Sequence, residues 1–276
     1  MSNTSKTMRV IQLIIFTLLA VIMIVPFIWA VGVSLQGPGQ AYNTPPTIFQ
    51  PPFMFSNYVE VLSKYNFVRY FANTLLITAI NVVAGVIANS MVSFGFAKYD
   101  SKGINALFFI ALCTMYVPSV SMMVPQYVIW SKVGVLDTYI PLTLASFFGN
   151  IGWIFLFRQQ YKSLSNSFYE AAYIDGANPL YIWWKIYMPL CKPIIATIAL
   201  RIFMGDWNNL QGPLLYLTSK EKYTVALAMS ALKTDAYGRV ELQMAGAIIT
   251  MIPVIAVYMF AQKYFIGGIA DAGVKG

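Results

Sequence analysis

Residues 169–190 read YEAAYIDGANPLYIWWKIYMPL, an amphipathic stretch between two strongly apolar runs. Its alanines predict a short helix that ends at Gly176, because glycine adopts the left-handed conformation at a helix end without steric cost. A second short helix is expected to begin near Pro179 and to stop at Pro189. Helices of one to three turns are marginal by themselves in water. The stretch is therefore predicted to be a docking element on which another protein packs.

The start of the first helix carries a capping signal. Ser167 and Glu170 fit the capping-box pattern, in which the serine side chain accepts from a helix amide and the glutamate binds the amide of the serine. Small and aromatic side chains are expected to form the contact surface, because alanines allow close approach and aromatic rings bury large areas. These residues are Ala171, Ala172, Tyr173, Trp183 and Trp184.

The rest of the chain has the composition of a membrane protein. Of its 276 residues, 58% are apolar and only 10% are charged, whereas about 25% are charged in a soluble domain. A bilayer core about 30 Å thick requires about 20 helical residues, and six runs are long enough without the alternation of barrel strands. They are approximately Val10–Leu35, Phe71–Phe96, Ala106–Val124, Tyr139–Phe157, Pro189–Asn208 and Met244–Phe265. The sequence predicts an all-α membrane protein with six transmembrane helices.

The first run is predicted to be a retained span, because it is longer than the apolar part of a signal peptide and no small-residue cleavage site follows it. Lysine and arginine are more frequent in the short connections on one side of the membrane, including residues 158–189, than in the longer connections on the other side. This bias places that loop and both termini in the cytoplasm. The net charge of +8 follows from this bias, so nucleic-acid binding is not needed to explain it. The predicted divisions are an N-terminal helix with an extracytoplasmic segment (1–69), a membrane core that contains the loop 158–189 (70–265) and a cytoplasmic tail (266–276).

Several classes of chemistry are excluded by the residues present. The chain has no histidine, which removes histidine bases and histidine metal sites. Cys113 and Cys191 have no paired spacing and are interpreted as small apolar side chains. The segment most similar to a phosphate-binding loop runs from Gly268 to Gly273, but Val274 follows it where the motif requires lysine. No catalytic residue, metal or cofactor is therefore predicted on this chain.

A fixed spacing of residues within the docking stretch gives a more specific prediction. These residues are Glu170, Ala171, Ala172, Asp175, Gly176, Ala177, Ile186 and Pro189. The pattern resembles the EAA loop of bacterial ABC-importer permeases, written EAA-x-x-DGA, eight residues, then I-x-LP. The wider chain is similar to the carbohydrate branch, the maltose-permease MalG-like subunits, in SNYVEVLSKYNFVRYFANTLLIT, Arg158-Gln159, Trp207-Asn208, Pro213-Leu214 and QKYFIGGIADAGVKG. It departs from the family at Leu164-Ser165, usually Ile-Pro, and at Met188, usually Leu.

The resemblance implies the type I importer (MetI-like) permease fold in a bacterial cytoplasmic or inner membrane. It implies that the loop helix sits in a cleft of a separate ATPase and that the eight motif residues couple ATP hydrolysis to transport. The expected partners are membrane lipid, a second, MalF-like permease, two ATPase subunits that bind ATP and Mg²⁺, and an extracytoplasmic solute-binding protein. The expected cargo is a sugar or oligosaccharide, acidic sugars included. The alternatives are a permease of the same fold for peptides or amino acids, or an ion-coupled secondary transporter.

Arg201 is the one charge expected deep within a span, where a charge costs about 2.5–3.5 kcal/mol unless it meets a partner or water. It could pair with a carboxylate or amide of another span or subunit, extend to the outer surface, or face the transport path and favour an anionic sugar. Asp206 lies five residues further on and is poorly placed for a pair on the same helix face. Asn150 and Asn208 are the other expected path residues.

Overall fold

The structure is a computed structural model that describes residues 6–45 and 47–273. No β-strand occurs in those residues. The α-helices are α1 Lys6–Ser34, α2 Ser56–Ser63, α3 Phe67–Lys98, α4 Lys102–Cys113, α5 Met123–Val133, α6 Ile140–Thr143, α7 Ile151–Ser163, α8 Ser167–Ile174, α9 Pro179–Ile182, α10 Met188–Leu190, α11 Lys192–Trp207, α12 Gln211–Tyr216, α13 Val225–Asp235 and α14 Val240–Gly273. Short 3₁₀ helices lie at Gln40–Tyr42, Thr114–Tyr116, Ser119–Met122, Leu144–Phe147 and Lys220–Lys222, and a π-helical segment lies at Trp183–Tyr187.

Four stretches of the described chain are long and apolar enough to cross a membrane. They are Met8–Ser34, Phe67–Lys98, Ile140–Ser163 and Val240–Gln262. Two further helix pairs pass the same test together but are bent, one by 91° and the other by 85°. The prediction of an all-α membrane protein is confirmed, and the count of six spans is reached when each bent pair counts as one. Residues 266–273 of the predicted tail continue α14, and residues 274–276 lie outside the described residues.

The predicted third span, Ala106–Val124, is not one straight helix. Helix α4 ends at Cys113, and the chain becomes extended at Val117 and Pro118 before it turns into α5. Proline explains the break, because it has no amide hydrogen and disfavours helical backbone at the residue before it. Helix α5 then continues to Val133, well beyond the predicted end of the span.

The predicted fourth span, Tyr139–Phe157, is also interrupted. Gly149 has a left-handed backbone (φ 84°), and Asn150 caps α7 by accepting a hydrogen bond from the Gly152 amide at 2.9 Å. The Asn150 amide would be unpaired at this break, but it donates to Asn89 Oδ1 of α3 at 2.6 Å. A side chain of a neighbouring helix thus satisfies the interrupted backbone, as a membrane interior requires.

The helix expected to stop at Pro189 continues through the π-helical segment to Leu190. Pro189 lies in the first turn of α10, where the missing amide hydrogen of proline costs least. The chain breaks instead at Cys191, and α11 begins at Lys192. The predicted fifth span therefore starts three residues after Pro189 rather than at it.

The described chain divides into two compact units. The first contains residues up to 68 together with 228–252, and the second contains 69–227 together with the residues from 253 onward. In the first unit, Asn57 Nδ2 donates to the backbone oxygen of Ser34 at 2.9 Å, which ties α2 to the end of α1.

Candidate functional site

Helix α8, which carries the first part of the motif, begins at Ser167 with Asn166 as its N-cap residue. The predicted capping box between Ser167 and Glu170 does not form, because Ser167 already lies inside the helix. Its amide is bound instead by the Ser165 hydroxyl at 3.2 Å, and the two serine hydroxyls are 2.7 Å apart. The motif helix therefore starts one residue earlier than the sequence predicts.

The end of α8 confirms the prediction for Gly176, whose φ is 83°. The Ala177 amide donates to the Ala172 carbonyl at 3.0 Å, and the Gly176 amide donates to the Tyr173 carbonyl at 3.1 Å. These two bonds form a Schellman motif, which requires a left-handed residue after the helix. The turn directs the chain into α9, whose N-cap Asn178 accepts from the Tyr181 amide at 2.8 Å.

Three motif residues hold the loop against its own bundle. Ala172, Ala177 and Ile186 pack on a buried cluster contributed by α3, α7, α9, α11 and the segment between α9 and α11. The members of this cluster are Val86, Phe94, Phe157, Tyr161, Ile182, Trp183, Tyr187, Cys191 and Ile198. These three motif residues are partly buried, and their packing helps to fix the position of the loop.

The other motif residues, Glu170, Ala171, Asp175, Gly176 and Pro189, are exposed. Large apolar side chains beside them are exposed as well: Phe168 by 46%, Tyr173 by 61% and Ile174 by 83%. Sequence reasoning missed Ile174, although an isoleucine at the end of an otherwise polar connection is a signal for a contact surface. We call Glu170, Ala171, Tyr173, Ile174, Asp175 and Gly176 the α8 face.

Trp183 was expected on the contact surface, and this prediction is wrong. Its side chain is 7% exposed, and its indole nitrogen donates to Ser90 Oγ of α3 at 2.8 Å. The same hydroxyl lies 2.5 Å from Tyr161 Oη of α7 and 2.9 Å from Met188 Sδ. Trp184, the next residue, remains 49% exposed. Trp183 therefore anchors the loop inside the bundle, whereas Trp184 lies at the surface.

A second connection joins the loop to the end of α3. Lys98 Nζ donates to Asn166 Oδ1, the N-cap residue of α8, at 2.9 Å. The same ammonium lies 4.6 Å from the centre of the Tyr187 ring, within the range of a cation–π interaction. The loop that contains α8 is thus held by one end of α3 through Lys98 and by the interior of α3 through Trp183 and Ser90.

A cavity of about 300 Å³ lies near the middle of α3. Its polar and aromatic lining is formed by Asn89, Ser146, Asn150, Trp153, Arg201 and Asp206. Two predicted path residues, Asn150 and Arg201, therefore meet at one place. The third, Asn208, is not among the lining residues, and its side chain bonds the Met204 carbonyl at 2.8 Å. The sequence predicts no pair between Arg201 and Asp206, because residues five apart rarely share a helix face, yet both line this cavity.

The opposite end of α3 lies beside a cluster around Asp137. Asp137 Oδ1 accepts from the amides of Thr218 and Ser219 at 2.9 and 3.0 Å, and its Oδ2 accepts from Ser219 Oγ at 2.6 Å and Lys222 Nζ at 2.8 Å. The Lys222 ammonium and these hydrogen bonds hold the pKa of Asp137 well below its ordinary value. Asn73 of α3 bonds the neighbouring Glu221 carbonyl at 2.8 Å. The Asp137 cluster and α8 are thus separated by most of a 32-residue helix, about 48 Å long.

We expect Asp137→Asn to loosen this cluster without changing its backbone, because asparagine tolerates the φ of 56° found here. The hydrogen-exchange protection of the Thr218 and Ser219 amides should fall about ten-fold, since bonds to a charged acceptor are stronger than neutral ones. The lowered pKa means that wild-type protection is complete above the ordinary value of 3.8 and is lost only as pH falls through the lower folded value. Unchanged protection in the variant at about pH 7 would show that the carboxylate charge does not hold the loops.

Comparison with known proteins agrees with this geometry. The model for the family described as binding-protein-dependent transport system inner membrane component matches residues 81–270. The chain is 29% identical to the arabinooligosaccharides transport system permease protein AraQ of Halalkalibacterium halodurans, over 99% of both proteins. It is 29% identical to the melibiose/raffinose/stachyose import permease protein MelC of Bacillus subtilis, over 99% of this chain and 98% of that one.

A solved structure has the same fold over almost the whole chain. It is described as a bacterial ABC transporter involved in the import of the acidic polysaccharide alginate, and one of its chains gives a TM-score of 0.82 with 28% identity over 96% of this chain and 99% of that one. The predicted resemblance to ABC-importer permeases and the location in a bacterial inner membrane are confirmed. The chain belongs to the family of binding-protein-dependent transport system inner membrane components.

Proposed function

We propose that this chain is one permease subunit of an ATP-driven importer of sugars or oligosaccharides, in which a separate ATPase docks on the α8 face. The observation that carries the proposal is that the end of α8 is exposed on one side and packs against its own bundle on the other. Tyr173 and Ile174 are 61% and 83% exposed, whereas Ala172 and Ala177 on the same turn pack inward. Apolar side chains displayed in this way mark a surface that another protein covers.

The ATPase contact is assigned to Glu170, Ala171, Asp175 and Gly176, and the transmission of motion to Ala172, Ala177 and Ile186, with Pro189 at the end of the loop. The carboxylates can pair with cations of the partner, while the alanine allows close approach. Motion of a docked ATPase would reach α3 and α7 through Trp183 and Ser90, which share a hydrogen bond of 2.8 Å. ATP and Mg²⁺ are assigned to two partner ATPase subunits, which agrees with the lack of a phosphate loop in this sequence.

The two ends of α3 would then serve opposite sides of the membrane. The end at Lys98 and α8 is assigned to the cytoplasm, in agreement with the lysine and arginine bias. The Asp137 cluster is assigned to the outer side, where a solute-binding protein delivers its cargo. Loops that are hydrogen-bonded to the Asp137 carboxylate suit the binding of this protein, because they present a defined surface to it. A second, MalF-like permease completes the path.

The cargo is assigned to the carbohydrates because the relatives AraQ and MelC are named for arabinooligosaccharides and for melibiose, raffinose and stachyose. The related alginate importer carries an acidic polysaccharide. Acidic sugars therefore belong to the candidate class as well.

Reconstitution of the complete transporter tests the proposal. Proteoliposomes would contain this chain, its second permease and its ATPase, with the solute-binding protein and ATP on their proper sides. We expect uptake of at least one of raffinose, arabinotriose and alginate trisaccharide, no uptake of trialanine, and complete loss when either ATP or the binding protein is omitted. Uptake driven by an ion gradient without the ATPase would contradict the proposal.

A further inference from the structure

The cavity beside the middle of α3 contains two charged side chains that do not pair with each other. Arg201 makes no hydrogen bond or ion pair with any residue that the structure describes. Asp206 Oδ2 is fully buried and has no hydrogen-bond partner, although the Asn81 side chain interacts with the carboxylate. A charge within a span costs about 2.5–3.5 kcal/mol unless something compensates it. The arrangement therefore indicates a ligand that both side chains bind.

The remaining polar lining is already engaged and fixes the shape of the cavity. Asn89 Oδ1 holds the Asn150 amide at 2.6 Å, and Ser146 Oγ donates to Asn81 Oδ1 at 2.9 Å. Trp153 adds a large aromatic side chain to the lining. A mostly fixed cavity with a few free polar groups is typical of small-molecule sites. Arg201 and Asp206 are the charged groups left to recognise a ligand.

The charges of the cavity restrict the chemistry of that ligand. An anion would be attracted by Arg201 but repelled by Asp206, and a cation would be attracted by Asp206 but repelled by Arg201. The described residues also contain no group of three or more potential metal-binding side chains. A polyhydroxylated ring satisfies both groups at once, because each hydroxyl donates one hydrogen bond and accepts others. Its apolar face can rest on an aromatic side chain such as Trp153.

We propose that this cavity binds one uncharged sugar ring of the transported saccharide during its passage. Arg201 donates hydrogen bonds to oxygens of the ring and its hydroxyls, Asp206 accepts hydrogen bonds from hydroxyl groups, and Trp153 covers an apolar face. This inference rests on the proposed function and specifies the class of sugar at the predicted path residues. The position near the middle of α3 places the site within the membrane, between the two sides at which the cargo enters and leaves.

The test uses the complete reconstituted transporter with raffinose and arabinotriose as uncharged probes and alginate trisaccharide as the acidic probe. Arg201→Met and Asp206→Asn should each lower the maximal uptake rate of the uncharged probe about ten-fold or more, because each removes a charged group that hydrogen-bonds the sugar, and such bonds are stronger than neutral ones. Thr197→Val on the same helix is the control, since its hydroxyl only bonds the Pro193 carbonyl at 2.9 Å. All variants should co-purify with the second permease and the ATPase in wild-type amounts.

Other results would overturn the inference while leaving the proposed function intact. One is wild-type uptake of an uncharged saccharide in both variants. Another is loss of alginate trisaccharide uptake alone in Arg201→Met, together with a gain in Asp206→Asn, which would show that the cavity binds an anion. A third is failure of Arg201→Met to co-purify with the second permease, which would show that the arginine pairs with that subunit. Wild-type complex that moves no saccharide would refute the proposed function itself.

Discussion

Replacing Gly176 with valine should abolish coupling between ATP hydrolysis and transport. The φ of 83° at this position is unfavourable for any residue with a β-carbon and most unfavourable for a β-branched one. Keeping valine in this conformation costs about 1–3 kcal/mol, which corresponds to about a 5- to 150-fold change in an equilibrium. The loop can escape the strain by unwinding the end of α8, which displaces the α8 face. Binding-protein-stimulated ATPase activity and sugar uptake should both fall at least about ten-fold.

Gly134 provides a matched control for this experiment. It ends α5 with a φ of 77°, and the amide that follows bonds back to Trp130 at 3.2 Å, as in the turn at Gly176. A β-carbon would meet no atom within 4 Å at either glycine. Gly134→Val should therefore cause similar local strain but leave coupling near the wild-type level. Gly176→Asn should recover much of the activity, because asparagine adopts the left-handed conformation more readily than valine.

Equal activity of Gly176→Val and Gly134→Val would contradict the role of the α8 turn in coupling. The comparison is informative because steric space is the same at both sites, so only the location of the turn differs. Retained co-purification of the ATPase with Gly176→Val, but without stimulation by the binding protein, would still agree with the account. In that case the turn transmits motion and the remaining α8 face maintains the contact.

Replacing Trp183 with alanine should strongly destabilise the protein. The side chain is 7% exposed, and truncation of a buried tryptophan typically costs about 3–5 kcal/mol through lost contacts and the cavity that remains. The substitution also removes the indole hydrogen that binds Ser90 Oγ. We expect a lower melting temperature of the purified complex and weaker stimulation of the ATPase by the binding protein, because the loop that contains α8 loses its anchor on α3.

Trp184→Ala is the control, since it removes the same side chain one residue away. Trp184 is 49% exposed, and a substitution at the surface usually changes stability by less than about 0.5 kcal/mol. The melting temperature should therefore stay close to that of the wild-type complex. If both variants destabilise the complex equally, Trp183 is not the specific link between the loop and α3.

The local features of the loop were predictable because they depend on neighbours in sequence. Gly176 ends α8 as expected, since a helix that stops needs a residue with left-handed backbone. The start of α8 was predicted one residue late, because the Ser165 hydroxyl, and not Glu170, binds the Ser167 amide. A single sequence gives no clear sign of which side chain binds this amide.

Features that depend on distant contacts were not predictable in the same way. Hydropathy marks Trp183 and Trp184 equally, and only the position of Ser90 on α3 decides which of them is buried. Hydropathy also gives no sign of the interruption at Gly149. The break is possible in an apolar span because the Asn89 side chain, from another helix, satisfies the broken backbone. Arg201 and Asp206 meet at one cavity although their spacing on α11 argues against it.

The most direct test of the central claim is cross-linking at Ile174, an apolar residue of the α8 face that is 83% exposed. Ile174→Cys would be made in a Cys113→Ser background, because Cys113 is exposed whereas Cys191 is buried. In membranes containing the complete transporter, a short thiol-to-amine cross-linker should join this cysteine to the ATPase subunit. An equivalent cysteine at Lys132 of α5 should not react with the ATPase. Cross-linking of Ile174→Cys to the solute-binding protein, with none to the ATPase, would contradict the account.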